Sequence, residues 1–310
     1  IWFPGSMGQL YSFNTENSKL ELFKLNPKFI NAQRRVAYTF IYLDSKKRLW
    51  LGQKNMGVLI FDTKTKEQKI FNQANCSWLP SNCVFGICED DSDLFWLATR
   101  EGLMSTSSLW DYSFEESHLP IVVSDKLSYC VKSVIIDLAG YVWFGTRDYG
   151  LFRYNAINDE VASYSLSPNS SPVSVGNLDN LYLDEKNHLW FSSLNDVYKI
   201  DISNELVNEF NRFPLVSTYS NWHQINDFTH SKSGNIWIAT KGGGISILFN
   251  REERFNNSDF QTGIKDLFGF SIKALTFGID NRLWALTAEQ GVMVFKSNGK
   301  YLSKLSSFIN

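Results

Sequence analysis

The sequence predicts an all-β fold made of seven similar repeats, and three observations support this prediction. A Trp preceded by an apolar residue returns every 46 to 48 residues along the 310-residue chain. Polar residues return at fixed distances from each of these tryptophans. No stretch of a repeat keeps the 3.6-residue apolar period of a helix long enough to form one. Repeats of this length are typical of solenoids, propellers and arrays. The repeat tryptophans are Trp2, Trp50, Trp96, Trp143, Trp190, Trp237 and Trp284.

The polar residues around each Trp form a recurring pattern. An Asp stands six residues before the Trp in four copies, whereas Ser231 and Gly278 take that place in the last two. A Thr or Ser stands three residues after the Trp in five copies, and a Gly follows it in most copies but not in the fifth. Such residue types favour turns, so they mark the ends of strands. The four Asp residues are Asp44, Asp90, Asp137 and Asp184.

Residues 36–72 show how one repeat folds. Four short runs rich in β-branched and aromatic residues are separated by polar or Gly-containing turns, which predicts four strands. A single sheet of this size cannot bury both faces, but stacking it against further copies of itself can. The repeat Trp would then fill the space between neighbouring sheets. The predicted strands are residues 36–43, 49–52, 58–62 and 68–71.

The seven repeats together predict a seven-bladed β-propeller, with each blade a four-stranded antiparallel sheet of about 47 residues. Closing the blades into a ring hides most of the sheet edges. Length alone favours two domains, but the unbroken period favours one domain over residues 1–310. The first copy lacks its first strand and residues 308–310 look like the start of another one. We therefore expect the chain to be a fragment of a longer polypeptide.

The composition is that of an ordinary globular chain, with 44% hydrophobic and 20% charged residues and a net charge of −2. There is no basic excess to suggest a nucleic-acid partner, and no apolar run has the length of a membrane span. The four cysteines show no zinc-ligand spacing. Cys76 and Cys83 share one loop, so both a disulfide and a pair of free buried thiols are open.

One copy, Asp137 to Tyr154, closely resembles the two-component regulator propeller repeat, whose pattern is Asp-x-x-Gly-x-Leu-Trp-x-Gly-Thr-x-x-Gly-Leu-x-x-Tyr. The resemblance extends over all seven copies. It implies seven-bladed propellers, usually two in tandem, in the periplasmic sensor half of a hybrid two-component system. A β-sandwich domain, a membrane helix and a histidine kinase then typically follow in the same polypeptide. Because these repeats are structural, they imply the fold more directly than the function.

The resemblance implies a non-enzymatic, extracytoplasmic sensor propeller that takes part in signal transduction by carbohydrate sensing. We expect it to lie in the periplasm, to bind an oligosaccharide and to relay binding to a kinase outside this chain. The expected partners are a second propeller or β-sandwich domain of the same polypeptide and, as a further option, a second copy in a homodimer. Two alternatives stay open: a structural interaction scaffold, and a propeller lyase or glycosidase.

Basic residues recur four positions after the repeat Trp, at the turn that follows the Thr. Equivalent positions of a ring lie on one circle of one face, so three of these residues on consecutive blades would form an arc. Arg can fork onto a carboxylate or sulfate, which suggests an acidic sugar or an acidic patch of a partner. Solvated turn residues are the plainer interpretation. The residues of this candidate site are Lys54, Arg100, Arg147 and Lys241, together with Asp148 and Tyr149 beside Arg147.

Aromatic residues in the loops between blades are the second candidate binding group, because aromatic rings stack on sugar faces and anchor interfaces. Trp222 and His223 are the candidates of this group, along with Trp78, Tyr129 and Tyr219; packing within the loops is the alternative. No motif for catalysis, metal or cofactor is found. The four histidines are scattered, and the acidic run 89–93 lacks the Gly and the final Glu of an EF-hand loop. We expect no catalytic residue, metal or cofactor.

Overall fold

A computed structural model describes residues 1–5, 8–29, 38–77, 79–106, 129–164, 178–193, 196–202, 211–214, 224–248, 267, 270–288 and 290–305. These residues confirm an all-β fold. They form seven antiparallel sheets of three or four strands, and the short 3₁₀ helix Pro27–Phe29 is the one regular helix among them. The chain divides into two compact units, residues 1–178 and 179–310.

The first unit contains four sheets, each built from strands that follow one another in the chain. The sheet of residues 38–71 has four strands within two residues of the predicted boundaries, because the turns fall where Gly and polar residues interrupt the apolar runs. The strands, sheet by sheet, are β1 (Trp2–Pro4), β2 (Gln9–Asn14) and β3 (Lys19–Lys24); β4 (Tyr38–Leu43), β5 (Arg48–Gln53), β6 (Gly57–Asp62) and β7 (Gln68–Phe71); β8 (Val84–Glu89), β9 (Phe95–Thr99) and β10 (Gly102–Thr106); and β11 (Val131–Ile136), β12 (Val142–Thr146), β13 (Leu151–Asn155) and β14 (Glu160–Tyr164).

The second unit continues the same plan with three sheets. Two of them have four strands and one has three among the described residues. Its strands are β15 (Leu178–Leu183), β16 (His188–Ser193), β17 (Asp196–Asp201) and β18 (Asn211–Pro214); β19 (Ile225–His230), β20 (Ile236–Thr240) and β21 (Gly244–Leu248); and β22 (Ile272–Phe277), β23 (Leu283–Thr287), β24 (Gly291–Phe295) and β25 (Tyr301–Lys304).

Three of the repeat tryptophans, Trp50, Trp96 and Trp237, pack against the next sheet, as the sequence predicts. The ring of Trp50 lies 4.4 Å from the ring of Phe95, and Trp96 lies 5.6 Å from Tyr154. In the second unit Trp237 lies 5.6 Å from Phe277. These tryptophans are at most 2% exposed, so the contacts remove large apolar surfaces from water.

The recurring Asp fastens the Trp to the preceding turn. One carboxylate oxygen accepts a hydrogen bond from the Trp indole nitrogen at 2.7–3.2 Å in all four copies that carry the Asp. The other oxygen accepts the main-chain N–H of the residue four positions later. This pairing satisfies a buried indole and shapes the turn, so it explains why the two residues recur together.

The recurring Thr closes the turn between the second and third strands of a sheet, which we call the Thr turn. The Thr hydroxyl donates to the carbonyl of the turn Gly at 2.7–3.0 Å in four copies, and that Gly has positive φ in each of them. Glycine adopts this conformation without the steric cost of a Cβ. The four Thr turns are 99–102, 146–150, 240–244 and 287–291.

The first strand of most sheets begins with a β-bulge. The pairing with the second strand skips one residue near the start of β4, β8, β11, β19 and β22. Polar side chains in this region reach the first strand of the following sheet: Thr39 donates to the carbonyl of Val84, and Asn226 to the carbonyl of Ile272. These hydrogen bonds connect neighbouring sheets within each unit.

The cysteines are free thiols, so the disulfide between Cys76 and Cys83 does not form. Both side chains are buried, and the Cys83 thiol donates to the Asn55 side-chain carbonyl at 2.6 Å. Cys88 is also buried, whereas Cys130 is partly exposed.

Candidate functional site

The four predicted basic residues are exposed to solvent. Three of them lie on Thr turns, whereas Lys54 lies on the equivalent turn of its sheet, where Gln53 takes the place of the Thr. Lys54, Arg100 and Arg147 belong to the first unit and Lys241 to the second. No described carboxylate forms an ion pair with Arg100 or Arg147. Their guanidinium groups therefore remain able to bind an anionic group.

The turns of Arg100, Arg147 and Lys241 are each tied to the start of the first strand of their own sheet. The main-chain N–H of Arg147 donates to the Cys130 carbonyl at 2.9 Å, and that of Arg100 to the Cys83 carbonyl at 3.0 Å. In the second unit Lys241 donates to Gln224 in the same way at 2.9 Å. The turns are thus fixed beside the bulged ends of the first strands, where the sequence places them at equivalent positions.

The Lys54 turn is connected to the Arg100 turn through Cys83. The Asn55 side-chain oxygen accepts a hydrogen bond from the Cys83 thiol, and the Gly57 N–H donates to the Asn82 carbonyl at 2.9 Å. The carbonyl of Cys83 in turn accepts the hydrogen bond from the Arg100 main-chain N–H. The structure therefore brings the turns of Lys54 and Arg100 to one edge of the first unit.

Three cations act on the thiol of Cys130. Burial raises the pKa of Cys130, and the charges of Arg147, Lys132 and Arg100 oppose that rise, while Asp148 adds to it. Electrostatic interactions of this kind fall off with distance, so these charges act on the thiol from the same part of the first unit. Lys132 lies at the bulge of β11, with its ammonium group 4.4 Å from the centre of the Phe85 ring of the neighbouring sheet.

An aromatic pair adjoins Arg147. The Tyr149 side chain is 45% exposed, and its ring meets that of Tyr129 edge-on at 4.4 Å. Tyr129 in turn stacks on Phe152 at 5.7 Å. The backbone of Tyr149 is held because its N–H donates to the Thr146 hydroxyl at 3.0 Å. Tyr149 is therefore a positioned aromatic surface facing solvent.

The structure relates only part of the predicted set. It holds Arg100 and Arg147 at the carbonyls of Cys83 and Cys130, directly before the neighbouring strands β8 and β11, while Lys241 belongs to the other unit. Trp222 and His223 lie outside the described residues, as do Trp78 and Tyr219. The sequence did not predict Lys132 as a site residue, because a bulge cannot be recognised within an apolar strand. The available signal was its position eleven residues before Trp143, which Thr39 and Asn226 occupy in their own copies.

The second unit holds a separate polar chain at a junction of two sheets. Tyr182 hydrogen-bonds His230 at Nδ1, and Nε2 of His230 contacts the Glu185 carboxylate at 2.9 Å. At the other end of β19, the half-buried Asp227 accepts the N–H groups of Phe228 and Leu275 at 2.9 and 2.8 Å. Burial raises the pKa of Asp227 to about 7, more than these two hydrogen bonds lower it.

Solved structures of several proteins resemble this fold. The extracellular domain of BT4673 from B. thetaiotaomicron, described as a one-component and as a hybrid two-component system, matches 98% of the chain with a TM-score of 0.71. The identity is 20% in one structure and 17% in the other, and 40% of that domain is covered. The chain thus spans about 40% of the length of this relative.

Single propellers match at similar levels. Virginiamycin B lyase from Staphylococcus aureus gives a TM-score of 0.67 at 12% identity, over 94% of this chain and 89% of the lyase. The Swd1 β-propeller domain of Myceliophteria thermophila gives 0.64 at 12% identity, over 95% and 90%.

No protein-family model and no curated protein sequence matches the chain. Within the described part of the chain, no helix has the length and apolarity needed to cross a membrane. The comparisons therefore show which fold the chain has: repeated antiparallel sheets of the kind found in β-propeller domains.

Proposed function

We propose that the chain is an extracytoplasmic ligand-sensing propeller of a hybrid two-component sensor histidine kinase. The observation that carries this proposal is the agreement of two independent likenesses. The repeat resembles the two-component regulator propeller repeat copy by copy, and the fold matches 98% of the chain to an extracellular domain described as part of a hybrid two-component system. The parent polypeptide would then lie in the inner membrane with this segment in the periplasm.

The proposed ligand is an oligosaccharide, recognised at the Thr turns of the first unit. Exposed arginines and a positioned tyrosine offer the two kinds of contact that sugars use, hydrogen bonds to hydroxyl or acid groups and stacking on a ring face. The ring of seven blades is part of the same proposal, as are contacts with a second propeller, a β-sandwich domain or a second copy. Sensing requires that the ligand bind one arrangement of these domains more tightly than another.

Thermal melting of the 310-residue chain with a panel of neutral and acidic oligosaccharides tests the proposal. A ligand that binds only the native state at 100 times its Kd stabilises it by about 2.7 kcal/mol, so the melting temperature should rise with concentration for one member of the panel. No rise with any sugar would contradict sensing by this chain and favour a scaffold.

The fold likeness to virginiamycin B lyase motivates a second measurement on the same samples. Each sugar is incubated with the protein and its length is measured by mass spectrometry. An unchanged sugar is expected. A shortened or unsaturated product would contradict the sensor proposal and show that the chain is an enzyme.

A further inference from the structure

We propose that Arg100, Lys132 and Arg147, with the exposed ring of Tyr149, form a recognition site for a carboxylate-bearing sugar residue. The inference rests on the proposed function for the ligand being a glycan. Beyond the proposed function, it specifies that the ligand is negatively charged and that a third cation, which lies in a strand and not on a turn, helps to bind it.

Two neighbouring strands bring the arginines together. β8 and β11 approach each other closely: a Cβ built on Gly86 of β8 would lie 4.0 Å from the Ser133 main chain of β11. Arg100 is bound to Cys83, directly before β8, and Arg147 to Cys130, directly before β11. Both arginines are therefore held at the same end of this strand pair.

Lys132 belongs to the same end. It is the bulged residue of β11, and its ammonium group rests over Phe85, the bulged residue of β8. A bulge redirects a side chain out of the regular alternation of a strand. Here it places a third positive charge next to the residues that anchor the two arginines, and all three charges act on Cys130.

The local charge balance favours an anionic ligand. Asp148 is the carboxylate that acts on Cys130 alongside the three cations, and Glu101 follows Arg100 within the same turn. Neither carboxylate forms an ion pair with Arg100 or Arg147. Gathering like charges costs free energy unless an anion joins them, and a planar carboxylate is the group that a guanidinium binds through two parallel hydrogen bonds.

The exposed ring of Tyr149 favours an anion that is part of a sugar. Tyr149 follows Arg147 by two residues, is 45% exposed, and is supported from behind by Tyr129. An exposed, immobilised aromatic ring beside paired cations suits a ligand that has both a flat apolar face and an acid group, as a uronic acid has. A free inorganic anion would make no use of the ring.

The test compares tri-galacturonic acid with its methyl ester, which has the same shape without the charge. Calorimetric titration of the 310-residue chain at low salt should give at least tenfold tighter binding of the acid. Arg100→Gln and Arg147→Gln should each reduce this preference severalfold, and the double variant should abolish it. Lys64→Gln removes one exposed charge from another turn of the same unit and should preserve it.

Thiol labelling provides a second measurement, which reports ligand binding without calorimetry. Cys130 is partly exposed while the other three cysteines are buried, so a maleimide should label Cys130 first. Tri-galacturonic acid should slow this labelling at least threefold, and the methyl ester at the same concentration should not. Lys132→Met should weaken the protection while leaving the melting temperature near that of the parent chain.

The outcomes separate the two proposals. Equal binding of acid and ester would overturn the carboxylate site and leave a neutral-sugar sensor. Preference for the acid that persists in the Arg100→Gln/Arg147→Gln double variant would overturn the assignment of these residues. Absence of binding by every sugar in the panel would overturn the proposed function itself, and this inference with it.

Discussion

The carboxylate of Asp137 accepts a hydrogen bond from the indole nitrogen of Trp143 at 2.7 Å. Its second oxygen accepts the main-chain N–H groups of Ala139 and Tyr141 at 2.9 and 3.0 Å. Trp143 is completely buried. One Asp side chain thus holds both the turn and the core residue of its sheet, and the same arrangement returns in three other copies.

Removing this carboxylate should destabilise the first unit. We expect Asp137→Ala to lower the free energy of unfolding by about 2–3 kcal/mol, because a buried donor loses a charged acceptor and the turn loses two hydrogen bonds. Urea titration followed by Trp fluorescence measures the change. Asp91→Ala, in an exposed turn position, serves as the control and should change stability by less than about 0.5 kcal/mol. Equal effects of the two substitutions would contradict the role of Asp137.

The sixth copy lacks this acceptor, which allows the opposite experiment. The Trp237 indole nitrogen is buried and has no hydrogen-bond partner among the described residues, and Ser231 stands where the other copies have Asp. We expect Ser231→Asp to stabilise the chain by about 1–2 kcal/mol, since it supplies a charged acceptor at the position that is used elsewhere. The melting temperature measures this gain. Ser231→Ala is the matched control, and a gain in that variant too would show that the hydrogen bond is not its cause.

These two residues show how far the sequence reaches. The Asp–Trp spacing is a local property, so the sheets, their strand boundaries and the packing of each Trp could be predicted from it. It could not be predicted that the buried indole nitrogen of Trp237 has no acceptor among the described residues, because this depends on which residues surround the indole. Three sheets have three strands among the described residues, and the residues that directly follow Thr106 and Leu248 lie outside that part of the chain.

The sequence predicted which residues of the candidate site share a repeat position, but not which of them lie together in space. Arg100 and Arg147 follow from their equivalent positions in the repeat, because equivalent turns lie at equivalent places in stacked sheets. Lys132 did not follow, since its position depends on a bulge, and a bulge depends on how two strands pair. Sequence also grouped Lys241 with the arginines, whereas the structure describes it in a separate unit.

Gly57 and Gly140 allow the cost of a left-handed backbone to be measured separately from the cost of a steric clash with an added Cβ. Both have φ of +83°, but a Cβ on Gly57 would lie 2.0 Å from the Phe71 carbonyl oxygen, while a Cβ on Gly140 would meet nothing within 4 Å. We expect Gly140→Ala to cost about 1–2 kcal/mol from its left-handed backbone alone. Gly57→Ala should cost about 1–3 kcal/mol more, because β7 must move away. Chemical unfolding of the two variants side by side gives the difference, and equal costs would mean that β7 yields freely.

The pKa of Asp227 gives a prediction about pH. In the folded chain burial raises this pKa to about 7, whereas an Asp in an unfolded chain has a pKa near 3.9. The folded state therefore holds a proton that the unfolded state has lost between these two values, so stability falls as the pH rises through this window, by at most about 1.4 kcal/mol per unit. Above about pH 7 the loss is complete.

Asp227→Asn should remove this contribution, because an amide does not ionise. Its free energy of unfolding relative to the parent chain should increase between pH 5 and pH 7 and then stay constant up to pH 8. Urea titrations at each of these pH values measure the difference, and Asp91→Asn in an exposed turn is the control that should follow the parent chain at every pH. The Asn side chain keeps one acceptor oxygen for the N–H groups of Phe228 and Leu275, so a loss of stability that is already present at pH 5 would reflect weaker hydrogen bonds to those groups. A difference that does not change with pH would mean that Asp227 is already ionised at pH 5, and that the two N–H donors outweigh its burial.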